Sequence, residues 1–243
     1  MRALVVIPTY QEAENIADLV DAVRDVVPHA DVLVADDNSP DGTAELAEKV
    51  GLARGGVRVL NRPAKLGLGA AYRAGFAQGL AEGYDTLVQI DADFSHDPAV
   101  VPTLLARIAD GADVAIGSRY VPGGSIPHWP PHRRALSRYG NRYAAALLEL
   151  GVRDATSGFR AYRAETLRAI RYDTTRANGY GFQIELAYRA ARWGGRIDEV
   201  PIAFTDRVRG TSKMSGRIIV ESMALVTWWG LRARAGDLVR RGR

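Results

Sequence analysis

Through the first half of the chain, short apolar runs rich in β-branched residues alternate with longer stretches whose apolar positions recur at helical spacing. The runs at 4–7, 32–35, 57–60, 86–90 and 114–117 predict strands, and the stretches at 14–27, 43–50, 70–82 and 99–110 predict helices between them. Asp41 followed by Gly42 and Thr43 supplies one helix start and Asp97 before Pro98 another, while Pro28 and Gly51 supply stops. Alternation of this kind predicts an α/β fold, with a mostly parallel sheet covered by helices on both faces.

After Arg119 the pattern changes. Residues 121–131 are too rich in Pro and Gly for regular structure and predict a long loop. Helices are expected at 137–150, 164–170 and 182–193, with a loop through 155–158. A strand at 197–204 is interrupted by Pro201, which places it near a sheet edge. The run 218–231 is apolar, with Trp228 and Trp229 near its end and arginines beyond. It contains Glu221 and falls short of the roughly 20 apolar residues of a membrane span. Its apolar residues are spread around the helix, leaving two readings: a packed terminal helix, or one lying in a membrane interface with its arginines on anionic lipid.

Composition narrows the classes. A chain of 243 residues with 47% hydrophobic content can bury a substantial core, and the lack of cysteine excludes disulfide frameworks, thiolate catalysis and cysteine-based zinc sites. The amino-terminal apolar run is too short for a signal peptide and reads as the first core strand of a cytoplasmic protein. The net charge is only +4, but the basic residues cluster: Arg133, Arg134 and Arg138; Arg207, Arg209, Lys213 and Arg217; and Arg232, Arg234, Arg240, Arg241 and Arg243. Nucleic acid, anionic lipid and a diphosphate each call for such clusters. Aromatics interleaved with them are sparse outside Trp228 and Trp229, which disfavours nucleic acid.

The candidate chemistry sits at the strand ends, where open α/β sheets bind their ligands. The fourth run ends in Asp91-Ala92-Asp93, and the alternation of strand side chains can bring both carboxylates to one side. Two hard oxygen ligands suit Mg²⁺ or Mn²⁺ and, through it, a diphosphate; a solvated, capped turn is the plainer alternative. The first run ends in Pro8-Thr9-Tyr10-Gln11-Glu12, where neither a glycine-rich dinucleotide fingerprint nor a P-loop lysine appears. The second ends in Asp36-Asp37-Asn38-Ser39-Pro40-Asp41, more polar than one turn and one cap require. Glycines after Lys65 at 67 and 69 have the flavour of a phosphate loop, but close packing of the helix on the sheet explains them as well. The histidines match no zinc spacing, so loop or capping roles are expected of His96, His128 and His132.

These segments occur in one order with Gly117-Ser118-Arg119-Tyr120, then 153–160, 181–185, 199–202 and 207–213. Together they resemble the inverting GT-A glycosyltransferases of family 2, and more narrowly the dolichol- or polyprenol-phosphate mannose synthases, over nearly the whole chain to about Gly216. The resemblance implies a single GT-A domain over 1–216 with a basic helical tail over 217–243. It implies metal-dependent transfer of mannose from GDP-mannose to a polyprenyl monophosphate, with inversion. Pro8, Tyr10 and Glu12 match positions lining the nucleotide pocket, and Asp37 reads the base or ribose with Ala35 beside it. Asp91, Ala92 and Asp93 match nucleotide-sugar contacts, Asp93 being the principal ligand of Mg²⁺ or Mn²⁺. The ion's second partner falls on Ser95, whose hydroxyl is a weaker ligand than a carboxylate and can reach it through water. Arg119 matches an arginine contacting sugar and phosphate, Arg207 and Lys213 a basic loop over the diphosphate, and Arg133 and Ser137 the acceptor-phosphate site. Of these, Asp91, Asp93, Arg119 and Arg207 are the expected catalytic residues.

A phosphate monoester, with a second pKa of about 6, attacks without a dedicated base, so arginines rather than a carboxylate are expected around the acceptor. A UDP-glucose-dependent transferase of the same fold is the nearest rival, and a non-catalytic nucleotide-binding or membrane-scaffolding module is the rival from another class. Peripheral attachment to the cytoplasmic face of a membrane is expected through residues 218–243, the 121–131 loop or a membrane-protein partner, with no role for nucleic acid.

Overall fold

The computed structural model describes residues 1–206 and 216–241, the side chains at 216–220 and 235–241 excepted. Seven strands, β1 (Ala3–Thr9), β2 (Asp31–Asp36), β3 (Val57–Asn61), β4 (Thr86–Gln89), β5 (Val114–Ser118), β6 (Arg160–Arg163) and β7 (Ile197–Pro201), form one sheet in the order β3-β2-β1-β4-β6-β5-β7. The pairings are parallel except those of β6, which runs antiparallel to both β4 and β5. The helices are α1 (Ile16–Val26), α2 (Thr43–Arg54), α3 (Leu68–Ala81), α4 (Val101–Ala109), α5 (Pro131–Leu148), α6 (Ala164–Ala169), α7 (Gly179–Trp193) and α8 (Gly216–Arg241).

Strand alternation divides the core in two. From β1, Ala3, Val5 and Ile7 pack with Ile16, Leu19, Val101 and Leu104 of α1 and α4. Leu4 and Val6 point the other way, among Tyr72, Phe76, Phe182 and Leu186 of α3 and α7. A strand buried on both faces reads as an unbroken apolar run, which is why β1 and β2 are so plain in the sequence. Helix α3 lies so close to the sheet that a Cβ at Gly75 would come within 2.4 Å of Val6.

Several boundaries differ from the sequence reading. Helix α2 does not stop at Gly51 but runs on to Arg54; a Cβ at Gly51 would meet the Val57 carbonyl at 2.8 Å, so this glycine serves contact with β3. Helix α5 begins at Pro131 rather than 137, with proline in its first turn, where no amide donor is needed. Strand β6 falls between the expected loop at 155–158 and the expected helix at 164–170, where the sequence predicts no element; it is four residues with arginine at both ends, and that composition hides it from any apolar pattern. Strand β7 ends at Pro201 on the sheet edge, as its proline implied.

The terminal helix α8 packs on α5 and α7: Val226 is buried, Tyr143 and Thr227 share a hydrogen bond of 2.8 Å, and Trp229 stacks on Tyr188. Among the described residues no helix is long and apolar enough to cross a membrane.

Candidate active site

The carboxyl ends of β1, β2, β4 and β5 open onto a cavity of about 670 Å³, closed by the starts of α3, α5 and α7. Three residues just past the strands, Gln11, Asn38 and Phe94, adopt left-handed backbone with φ of 55°, 59° and 56°. Such conformations cost energy in residues other than glycine and cluster where a fold aims side chains at a ligand.

At one end of the cavity stand Pro8 of β1 with Tyr10 and Glu12 just after it, Asp37 just after β2, and Lys65, whose ammonium lies 4.0 Å from the Tyr10 ring centre. The dense polar segment after β2 separates into two tasks. Asp36 accepts from Thr9, from the Ser39 hydroxyl and from the Ser39 amide, and Asp41 accepts from the amides of Ala13 and Thr43; these carboxylates build the turn and the cap. Asp37 instead faces the cavity, paired with Arg62 and accepting the Leu66 amide at 3.1 Å. Burial raises its pKa above the ordinary carboxylate value despite the opposing pull of Arg62. Ala35 is fully buried in β2 opposite Pro8, so its side chain does not form part of the cavity wall.

In the middle, Asp91, Ala92, Asp93 and Ser95 line the floor. Asp91 accepts the Tyr72 hydroxyl at 2.8 Å, and Asp93 accepts the Ser95 amide at 3.0 Å. Burial, followed by the charge of Asp91, pushes the Tyr72 phenol well above its usual pKa and keeps it a neutral donor. The turn is clamped from behind, because Thr205 donates to the carbonyls of Phe94 and Ser95. Among the described residues no group of three or more His, Asp or Glu side chains could hold a metal ion. The donor set that is present, the Asp93 carboxylate with the Ser95 hydroxyl beside it on the cavity floor, is of hard oxygens, which suit an ion of the Mg²⁺ or Mn²⁺ type that takes one or two carboxylates and completes its shell with substrate phosphates and water.

The far end is cationic and aromatic. Arg119 is buried and spent on structure along one edge: its amide, Nε and Nη2 bond Asp154 at 3.0, 2.7 and 2.7 Å, and Nη2 also donates to Thr156 at 2.7 Å. Burial works against its charge, yet the Asp154 carboxylate holds its pKa above the ordinary guanidinium value. Arg119 also lines the cavity, and none of these bonds is made by Nη1. Arg133 lies 3.9 Å over the Trp129 ring and donates to Asp206 at 3.0 Å, and Trp129 donates to the same carboxylate at 2.8 Å. Trp129 is buried against Phe204, so the loop before α5 does not offer it to a membrane. Ser137 accepts the Tyr120 hydroxyl at 2.7 Å and is not on the cavity wall. Arg207 and Lys213 lie outside the described residues.

Some residues in or behind the cavity wall were given no binding or catalytic role by the sequence. His96 lies in the loop after β4, as expected, but it is fully buried there and stacked on Phe159; burial takes its pKa down to about 4. Arg160 has no exposure and donates to the carbonyls of Ser157, Ala155 and Gln183, tying the cavity floor to α7. Glu185 accepts from the amides of Arg176 and Ala177 and fixes the loop before α7. The glycines after Lys65 have separate reasons, neither of them the sheet: Gly67 has left-handed backbone with φ of 92°, and a Cβ at Gly69 would meet the Ala177 carbonyl of that loop at 2.9 Å. Such long-range pairings leave no periodic trace. Their only signal was their place inside the segments 153–160 and 181–185.

Comparison with known proteins agrees with this architecture. A family model described as glycosyl transferase family 2 matches residues 4–171. The chain is 50% identical, over 96% of its length and 96% of the relative's, to an undecaprenyl-phosphate mannosyltransferase of Micrococcus luteus. It is 50% identical, over 96% of its length and 88% of the relative's, to a polyprenol monophosphomannose synthase of Mycolicibacterium smegmatis. A dolichol-phosphate mannosyltransferase of Pyrococcus furiosus is 35% identical over 95% of this chain and 65% of its own. Among solved structures, the glucosyl-3-phosphoglycerate synthase of Mycobacterium tuberculosis with Mn²⁺ and UDP-glucose superposes with a TM-score of 0.68, at 24% identity over 93% of this chain and 77% of that one, a likeness of fold.

Proposed function

The chain belongs to glycosyl transferase family 2, and from that premise we propose that it transfers mannose from GDP-mannose to a polyprenyl monophosphate, with inversion, yielding a polyprenyl β-mannosyl phosphate. The polyprenyl-phosphate mannosyltransferases to which it is similar over nearly their full length support the acceptor and the sugar. The observation that carries the mechanism is the division of the cavity: a nucleotide end built from Tyr10, Asp37 and Lys65, and an acceptor end built from Arg119 and Arg133.

A phosphate oxygen of the acceptor attacks the anomeric carbon as the bond from that carbon to the GDP oxygen breaks, and the electron pair leaves with GDP. The acceptor phosphate is largely ionised near neutral pH, so no side chain has to take a proton. Arg119 Nη1 and Arg133 orient the phosphate and lessen the repulsion between two anionic groups. Asp93, with Ser95 beside it, would hold the divalent ion, which supplies charge stabilisation to the leaving diphosphate. Asp37, paired with Arg62, is placed to accept hydrogen bonds from the base or ribose. Arg207 and Lys213 complete the reading as cations closing over the diphosphate.

Attachment to the cytoplasmic face of a membrane belongs to the same proposal. Leu136 and Tyr139 on α5, with Trp228 and Leu231 on α8, are exposed, and Arg134, Arg138 and Arg232 stand among them. Apolar groups flanked by arginines suit the headgroup region of anionic lipid.

Turnover of GDP-mannose and UDP-glucose, each with one defined polyprenyl phosphate, tests the reading. Mannosyl lipid as the dominant product is expected; glucosyl lipid formed at equal or greater kcat/KM would overturn the donor assignment.

A further inference from the structure

Gln183 sits on the cavity wall with 1% of its surface exposed, and neither its Oε1 nor its Nε2 has a hydrogen-bond partner among the described residues. A buried amide unpaired at both ends is costly, so such a group on a cavity wall marks a place where a ligand completes it. Directly beside it a side chain is missing. A Cβ at Gly158 would lie 3.2 Å from Asp91 Oδ2 and 3.5 Å from Gln183 Nε2, so the glycine leaves a notch between a carboxylate and an amide.

Both walls of this notch are fixed. Arg160 donates to the Gln183 carbonyl at 2.8 Å and to the Ser157 and Ala155 carbonyls at 2.8 and 2.7 Å, holding α7 and the 155–158 segment together. Tyr72 holds the other oxygen of Asp91, and its ring stacks on Phe182, the residue before Gln183.

The chemistry of the notch selects its occupant. An anionic phosphate is repelled by Asp91, and the nearby Arg160 guanidinium is turned to carbonyls and fully buried. An isoprenoid chain leaves the amide unsatisfied. A neutral polyhydroxyl group satisfies both walls, because a ring hydroxyl donates to the carboxylate while another donates to, or accepts from, the amide. We propose that Gly158, Asp91 and Gln183 form the subsite for the hydroxyls of the transferred hexose, with Gln183 a specificity-determining residue. This rests on the donor-transferase reading above and adds to it the group that reads the sugar.

The test pairs side-chain deletion with substrate deletion. Gln183→Leu, Gln183→Glu and Gly158→Ala are assayed with whichever of GDP-mannose and UDP-glucose the wild-type enzyme turns over, and with singly deoxygenated analogues of that donor. Failure of the donor assignment thus shows in the wild type, and failure of the notch shows in the variants. Gln183→Leu is expected to lose roughly tenfold or more in kcat/KM with the full donor, the scale of one polar pair left unmade. It is expected to lose nothing further with the one analogue lacking the hydroxyl that Gln183 reads. Affinity for the free nucleoside diphosphate, measured by calorimetry, stays at the wild-type value in all three variants, which a merely structural role for Gln183 would not allow. Wild-type kcat/KM in Gln183→Leu, equal further losses with every analogue, or a parallel loss of nucleoside diphosphate affinity would each overturn the proposal.

Discussion

Replacing Asp154 by asparagine should damage this protein more than its distance from the reacting atoms implies. Asp154 has no exposed surface and accepts three N–H groups from Arg119, which is itself 5% exposed. Asparagine keeps the shape but turns an NH₂ group towards those donors and leaves the Arg119 charge buried without its counter-ion. Breaking one partner of a buried pair costs about 3–5 kcal/mol. For a chain of this size each kcal/mol is worth roughly 2–4 °C in melting temperature, so a drop of about 6–20 °C is expected. The pair is fully in force at neutral pH. Although burial opposes ionisation, Arg119 holds the Asp154 pKa below its ordinary value, so its contribution exists above the unfolded carboxylate pKa and fades only as pH falls through the lower folded one. Activity should fall about 100-fold, the scale of losing one oriented donor at a developing charge. The double variant Asp154→Leu with Arg119→Met separates the two effects. It should recover most of the melting temperature and none of the activity, because two apolar side chains remove the stranded charge and the phosphate-binding group together. Calorimetry and a rate assay with donor and acceptor both supplied, on the three proteins, suffice. An Asp154→Asn enzyme melting within about 2 °C of the wild type would refute the reasoning.

His96 supplies a pH test on the metal-free protein: its folded pKa of about 4 lies below the unfolded 6.5, so the unfolded chain gains a proton first on acidification. Stability should be intact above about pH 6.5 and decline by about 3 kcal/mol towards pH 4; urea denaturation of His96→Phe should show a flatter profile across that window. Asp206→Asn releases Arg133 from a half-exposed ion pair and should lower the KM for polyprenyl phosphate by roughly two- to fivefold with donor KM unchanged, the small scale reflecting solvent screening. Asp37→Ala should raise the donor KM by about tenfold or more while leaving acceptor KM alone, as steady-state kinetics with each substrate varied in turn would reveal. Leu136→Glu together with Trp228→Glu should reduce co-sedimentation with anionic liposomes without changing the melting temperature by more than about 2 °C, since both side chains are exposed.

How far the chain could be read follows from what kind of signal each residue leaves. Strands β1, β2, β4 and β5 stand out because both faces are buried, and Asp37, Asp91, Asp93 and Arg119 stand out because polar side chains cluster where those strands end. Strand β6 was invisible: Arg160 satisfies its charge on three carbonyls inside the core, so the strand has no apolar stripe. The split of roles between Asp36 and Asp37 was equally hidden, since only the fold shows which carboxylate is consumed by Thr9 and Ser39 and which faces the cavity. Asp154 and Asp206 act through partners 35 to 77 residues away, separations that fold topology sets and periodicity cannot encode. The terminal helix offered packed and membrane-lying readings together; Val226 is buried against the body, as the packed reading expected, while Trp228 is exposed.

The central claim is that a lipid phosphate, not a hydroxyl, is the nucleophile in a cavity whose leaving diphosphate is served by Asp93. Its most direct test follows label from GDP-mannose into polyprenyl monophosphate and into the corresponding polyprenol, with Mg²⁺ and with chelator, for wild type and Asp93→Ala. The account predicts labelled lipid from the monophosphate alone, in the presence of the ion, and a loss of at least about 100-fold in Asp93→Ala. Comparable labelling of the polyprenol, or transfer to the monophosphate that survives both chelator and Asp93→Ala, would contradict it.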